Sequence, residues 1–305
     1  MPEPSRSTSP AVRAAPPTAY LAFLTVCIVW GTTYLGIAVA LETVPVLLVA
    51  GLRWMAAGLV LSTYMLVSGR GLPGPRAWVP LALLGFLMNV LGNGLVVYAE
   101  QFVPSGLTAV LIATTPFWSA LVEGLLPGGE RFSARSLVGL SLGFLGIVVL
   151  VWPELMVGGA GGKQFMLGVA AIQLACIGWV IGTSYAKRHP LGDDPFRSAA
   201  LQMVFSGSML LAAATAHGDW AHLSFTTKSM AAMLYLSVAG SIVAYSAYIY
   251  AIQHLPLQFV SLYAYINPMI AVALGTVLLG EPFSMRIVAA AVLVLAGTWI
   301  VSRRR

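Results

Sequence analysis

Apolar runs of about 20 residues follow one another along almost the whole chain, separated by short clusters of Gly, Pro and charged residues. They predict ten helices, near 20–41, 44–67, 78–99, 104–126, 133–152, 163–185, 196–216, 229–251, 256–279 and 284–302. At 1.5 Å per residue each is long enough to cross the hydrocarbon of a bilayer. A helix is the element expected there because it satisfies its own backbone polar groups without water. The breaks fall at Gly69 to Pro75, Pro127 to Arg131, Gly158 to Gly162, His189 to Pro195 and His217 to Ser224. None leaves room for a separate soluble domain. The expected fold class is an all-α membrane protein of ten transmembrane helices.

Residues 1–17, rich in Pro, Ser, Ala and Arg without apolar periodicity, predict a disordered cytoplasmic tail. Ala38-Val39-Ala40 imitates a signal-peptide cleavage site. The apolar run before it is longer than a signal core, so the expectation is that it stays in the protein.

Composition strengthens the reading. Hydrophobic residues make up 59% and charged residues 9%, against about 25% charged in ordinary globular domains; the lipid bilayer is the expected partner. The net charge of +6 does not point to nucleic acid, because of where the charges sit. With the N-terminus inside, Arg6, Arg13, Arg70, Arg76, Arg131, Arg135, Lys187, Arg188, Arg197, Arg303, Arg304 and Arg305 are cytoplasmic. Only Lys163, Lys228 and Arg286 fall opposite, and Arg53 lies within a span. This positive-inside bias predicts a multi-pass inner-membrane protein with both termini in the cytoplasm. The two cysteines, Cys27 and Cys176, fall inside apolar runs and read as small packing residues rather than a disulfide or metal site.

The chain also repeats itself. Tyr98-Ala99-Glu100-Gln101-Phe102-Val103-Pro104 matches Tyr250-Ala251-Ile252-Gln253-His254-Leu255-Pro256, and at the same offset Pro116 matches Pro268. Gly129-Glu130-Arg131-Phe132-Ser133-Ala134-Arg135 matches Gly280-Glu281-Pro282-Phe283-Ser284-Met285-Arg286, with Gly146 and Gly297 in the same register. Earlier, Cys27-Ile28-Val29-Trp30 matches Cys176-Ile177-Gly178-Trp179. Five spans per half is an odd number, so the second half is expected upside down relative to the first, an architecture of secondary transporters.

Trp30-Gly31, Arg53, the prolines of spans four and nine, and the Gly-Glu-x-Phe-Ser blocks resemble the drug/metabolite transporter superfamily, EamA type. The resemblance covers 18–302 as two EamA repeats, 18–152 and 163–302. It implies a central cavity between inverted halves and export of amino acids or other metabolites. The sequence departs from the family at Gly128-Gly129-Glu130 and at Glu123, where a small apolar residue is usual.

Candidate substrate contacts follow from polar and aromatic groups at depth. Pro116 and Pro268 lie twelve residues into their spans and free the carbonyls of Ile112 and Ala264. Thr114, Thr115 and Asn267 beside them serve either a cavity or a purely structural kink. Trp30 and Trp179 are equivalent, each followed by polar groups: Thr32, Thr33 and Tyr34 after the first, Thr183, Ser184 and Tyr185 after the second. An indole at that depth needs a partner for its N–H; packing and substrate contact both remain open. Asn89 and Asn93, four residues apart on one helical face, join Tyr98, Tyr245 and Tyr248 as a further polar set. Arg53, about 12 Å into its span, is a candidate charge partner for a substrate carboxylate, with snorkelling or carbonyl bonding as the alternative. Its repeat-equivalent place is near Gln202. Glu130 and Glu281, with Ser133 and Ser284 after them, suit the starts of spans five and ten.

Absences narrow the function. No carboxylate lies at mid-membrane, and Glu100 and Glu123 sit toward span ends; polycations and quaternary drugs are disfavoured, and transport is expected to be facilitative or only weakly proton-coupled. No P-loop, zinc-type spacing or Gly-x-Ser-x-Gly elbow occurs, so neither an enzyme nor a cofactor is expected. The expected function is export of small neutral or zwitterionic metabolites such as aromatic amino acids, by a monomer or weak dimer. A facilitator of sugars or nucleosides is the alternative, with an intramembrane enzyme or receptor behind it.

Overall fold

Proline and glycine mark most helix ends. The computed structural model describes residues 16–125, 134–157, 160–189, 194–255, 260 and 262–302. Pro17 opens α1 (Pro17–Leu41), and Pro45 and Pro104 immediately precede α2 (Val46–Val67) and α5 (Ser105–Ile112). The missing proline N–H costs nothing at a first turn. Pro75 starts the third span, which runs through a 3₁₀ turn (Pro75–Ala77), α3 (Trp78–Leu84), a π-helical stretch (Gly85–Gly94) and α4 (Leu95–Ala99). After α6 (Thr115–Leu125), α7 (Ala134–Val157) and α8 (Ala160–Arg188) comes α9 (Pro195–His217), capped by Asp194 Oδ1 accepting from Phe196 N at 2.9 Å. Then follow α10 (Thr227–Tyr235), a second π-helical stretch (Leu236–Val243), α11 (Ala244–His254), α12 (Tyr263–Leu279) and α13 (Met285–Ser302). Gly218 (φ +83°) and Gly280 (φ +66°) end α9 and α12 in the left-handed conformation. Ser284 Oγ accepts from Ile287 N at 3.4 Å at the start of α13. Glu130 and Ser133, expected at the start of span five, lie outside the described residues.

Among the described residues, seven helical stretches are long and apolar enough to cross a membrane: Pro17–Leu41, Val46–Val67, Pro75–Ala99, Ser105–Leu125, Gly162–Ala186, Phe196–His217 and Thr227–Ala251. Leu137–Leu150, Tyr263–Leu279 and Met285–Gly297 are shorter apolar helices. Large apolar side chains such as Leu21, Ile28, Val60, Phe144 and Leu278 stay exposed on the outside of the bundle, the surface a lipid environment covers.

The closest packing pairs helices far apart in sequence. The α2–α9 seam is glycine-tight: a Cβ on Gly58 would lie 2.6 Å from Val204 N, and one on Gly207 would lie 2.6 Å from Met55 N. The α7–α13 seam repeats the device, with Gly297 set to bring a Cβ within 2.5 Å of Gly139 O and 2.8 Å of Gly143 N. Such small residues let backbones approach where lipid supplies no hydrophobic drive. α5 packs on α12. α1 lies against α10, α11 and α12, while α8 lies against the third span, α5 and α6.

Candidate transport site

Trp30 on α1 sits at the hub of an aromatic group. Its ring centroid is 6.4 Å from Trp179 (α8, edge-on), 5.2 Å from Tyr248 (α11) and 5.2 Å from Tyr263 (α12). Edge-to-face and tilted pairs at these distances are the arrangements the ring quadrupoles favour. The Trp30 indole donates to Gly240 O at 3.2 Å, in the second π-helical stretch. Its polar edge is therefore committed to protein, and its faces remain for aromatic contact. Thr33, buried, donates to Trp30 O at 2.7 Å, and Tyr34 is buried in an apolar cluster with Val96, Ala109, Ala175 and Ala271.

A second, polar layer joins α2 and α9 to the two π-helical stretches. Arg53, 3% exposed, donates from Nε to Ser241 Oγ at 2.7 Å and from Nη1 to Asn93 Oδ1 at 3.5 Å. Gln202 donates to Asn89 Oδ1 at 3.5 Å, and Asn89 donates to Ser206 Oγ at 3.0 Å. Arg53 and Gln202 correspond at an offset of 149 residues, as Trp30 and Trp179 do; Asn89 and Ser241 correspond at 152. The Arg53–Ser241 and Gln202–Asn89 links are thus one contact made twice. π-helical turns recur at functional sites because the extra residue per turn re-aims side chains and carbonyls. Arg53 finds side-chain partners from two other spans rather than snorkelling or bonding helix carbonyls.

The proline sites differ from one another. At Pro116 the helix breaks between Ile112 and Thr115, and Thr115 Oγ1 donates to the freed Ile112 carbonyl at 2.6 Å. Thr114 Oγ1 lies 2.6 Å from Leu111 O and 3.1 Å from Gln173 Oε1, the two acceptors for its single proton, and Trp118 also donates to Gln173 Oε1 at 2.9 Å. The hydroxyls thus repair the backbone and tie span four to α8. At Pro268 the helix runs through unbroken. Asn267, 5% exposed, donates to the carbonyls of Cys27 (2.9 Å) and Tyr263 (3.1 Å) with its amide turned to suit its neighbours, which ties α12 to α1 behind Trp30.

Three expected residues stand apart from the aromatic group. Thr183 is exposed and donates to Trp179 O at 2.8 Å, a bond within its own helix. Tyr98 stacks edge-on with Phe102 at 5.5 Å in an apolar cluster that includes Val103, Leu107 and Leu111. Tyr245 packs between two apolar clusters. A groove of about 430 Å³ lies elsewhere, lined by Val60, Leu61, Tyr64, Met65, Arg70, Phe196, Ile242 and Ser246.

Glu281 is structural, as expected, but at a different helix, and Glu100 is more enclosed than its place at a span end suggests. Glu281 does not serve its own helix; it caps α5, accepting from Ser105 N at 2.6 Å and Gly106 N at 3.0 Å. The reason is that the first N–H groups of α5 have no partner within the helix, and the helix dipole favours an anion there. Glu100 sits at a span end, as the sequence places it. There both carboxylate oxygens are shut off from solvent with no hydrogen-bond partner, at the end of a helix packed between α8 and α2.

Residues 17–152 and 166–303 each match the EamA-like transporter family. The chain belongs to that family. This EamA-like protein is 35% identical over 258 residues to the inner membrane transporter YedA of Escherichia coli (strain K12), covering 84% of this chain and 81% of that one. It is 26% identical to a Salmonella typhimurium protein named "Probable amino-acid metabolite efflux pump", covering 92% of this chain and 93% of the relative. A solved crystal structure shares the fold with TM-score 0.64 at 18% identity, covering 93% of this chain and 97% of the other. The EamA-like chain is therefore a multi-pass membrane transporter protein.

Proposed function

We propose that this chain is a secondary transporter of ten transmembrane helices in two inverted five-helix repeats, residues 18–152 and 163–302, exporting small neutral or zwitterionic metabolites, foremost aromatic amino acids. The observation that carries the substrate class is the Trp30–Trp179–Tyr248–Tyr263 group, drawn from both halves and offering ring faces rather than charges. The name of the Salmonella typhimurium relative points the same way. The equal approaches of Gly58 and Gly207, and the doubled Arg53–Ser241 and Gln202–Asn89 link, support a pseudo-two-fold axis between α2 and α9. Halves related in that way exchange access by rocking about a fixed site.

The reading places the chain in the inner membrane as a monomer or weak dimer, termini cytoplasmic. Lys228–Glu42 (2.6 Å) then joins the outer ends of spans one and eight. Arg188–Glu123 (2.9 Å), with Ser184 donating to Glu123 at 2.6 Å, joins the inner ends of spans four and six. These contacts at opposite ends must form and break in turn. No enzymatic role or cofactor belongs to this reading.

The substrate test is thermal stabilisation of the purified protein against amino acids, sugars and nucleosides. A ligand at 100 times its dissociation constant adds about 2.7 kcal/mol, a shift of a few degrees. Stabilisation by phenylalanine or tryptophan is expected; stabilisation by sugars or nucleosides alone would reject the amino-acid reading. For topology, Ala160→Cys and Trp220→Cys, in a background without Cys27 and Cys176, should react with an impermeant reagent from outside and Leu72→Cys should not. Reversed labelling sinks the orientation.

A further inference from the structure

Among the described residues, one buried charge-bearing group has no hydrogen-bond partner. Both oxygens of Glu100 are sealed from solvent and bonded to nothing, and Ser105 Oγ is buried and also unpartnered. The ionisable groups within Coulombic range of the Glu100 carboxyl are Arg53 from α2, Glu281 from the turn after α12, and Tyr34 from α1. From α8, which packs on α4, come Cys176 behind Tyr34 and the exposed Lys163 at the helix start. None of them donates to Glu100: the Arg53 guanidinium is turned to Ser241 and Asn93, and Glu281 is held by two backbone N–H groups.

The charge balance is decisive. Arg53 and Glu281 together sum to zero. An ionised Glu100 would add an enclosed negative charge next to another carboxylate, with no donor to replace water. That state is costly enough that such groups take up a proton instead. The duplication gives Glu100 no counterpart, since Ile252 stands at its place in the second half.

We propose that Glu100 is a proton-binding site that couples transport to the proton gradient: the carboxyl is protonated in this closed arrangement and releases its proton when the inward-facing state admits water to it. The O–H bond breaks, the proton passes to water, and the carboxylate remains until the outward-facing state reloads it. One proton then crosses for each substrate carried the other way. This revises the expectation of facilitative transport, which assumed that a carboxylate at a span end is solvated. The coupling rests on the transport reading above; the protonation does not.

The two are tested separately. Infrared difference spectra of the purified protein between acid and alkaline pH should contain the carbonyl stretch of a protonated carboxylic acid. That band should vanish in Glu100→Gln, shift in Glu100→Asp and persist in Glu123→Gln. A band unchanged in Glu100→Gln overturns the site whatever the substrate proves to be. In proteoliposomes, labelled phenylalanine should accumulate in an interior one pH unit more acidic than the bath, up to about tenfold for one-to-one exchange. Glu100→Gln should lose this accumulation and keep phenylalanine exchange across equal pH. Exchange without any response to the pH gradient, or accumulation driven by a sodium gradient alone, overturns the coupling. Absence of phenylalanine exchange in wild type rejects the substrate reading and leaves the infrared result to decide Glu100.

Discussion

Replacing both tryptophans, Trp30→Ala with Trp179→Ala, should lower phenylalanine transport at subsaturating substrate by roughly 5- to 150-fold while leaving a folded protein. Trp30 touches Trp179, Tyr248 and Tyr263, so its loss removes the hub of the aromatic group and its bond to Gly240 O. An aromatic pair contributes about 0.5–1.5 kcal/mol beyond its buried area. Two lost faces therefore weaken an aromatic substrate by about 1–3 kcal/mol, or roughly 5- to 150-fold in affinity. Either single change should give a smaller loss. Trp220, exposed and donating to Thr215 Oγ1 at 2.9 Å outside this group, supplies the control: Trp220→Ala should transport as wild type. The measurement is initial rate at equal amounts of folded protein, scored by size-exclusion profile. Wild-type rates in the double variant would remove the aromatic group from the transport path.

Why the aromatic group was only half legible is instructive. Trp30 and Trp179 stood out because two repeats place the same bulky residue at the same depth. Tyr248 was visible as a polar aromatic in an apolar run. Tyr263 was not, because it lies near the start of its helix and joins the group only through the way α12 lies across α1. The helices themselves were readable because hydropathy and turn residues act locally. The glycine-tight seams were only partly so: the spacing of Gly139 and Gly143 suggests a packing face, but it does not name Gly297 as the partner.

Depth was the least reliable inference. Counting residues from a span end put Glu100 near water, but burial there depends on which distant helices pack around the helix end, here α8 and α2. The same limit applied to Arg53, whose partners Ser241 and Asn93 come from π-helical stretches that no α-helical periodicity announces. Asn89 and Asn93 do point to one side, as their spacing implies, yet they serve different helices: Asn89 reaches α9 and Asn93 reaches α2. Glu281 misled in the other direction. Its position before a helix suggests service to that helix, whereas its carboxylate satisfies the start of α5 in the other half.

Gly58→Leu should prevent the native α2–α9 seam, and Gly207→Leu should do so to a similar degree. At each position the first added carbon would fall 2.6 Å from a backbone nitrogen, at Val204 and Met55 respectively. A backbone atom in mid-helix cannot rotate away as a side chain can, so the helices must separate. Overpacking of this kind costs about 1–3 kcal/mol where side chains can yield, and here the cost should lie at or above the upper end. Separation would also pull Arg53 from Ser241 and Gln202 from Asn89, leaving buried polar groups without partners. The two changes act on one interface, so Gly58→Leu with Gly207→Leu should cost less than the sum of the singles. Gly74→Ala is the matched control, because a Cβ there meets nothing within 4 Å and the backbone is not left-handed. Thermal unfolding in detergent should show near-equal losses for the two leucine variants and none for the control. A large loss in one and none in the other would mean that the two approaches are not equivalent, and would remove the packing argument for a pseudo-two-fold axis between α2 and α9.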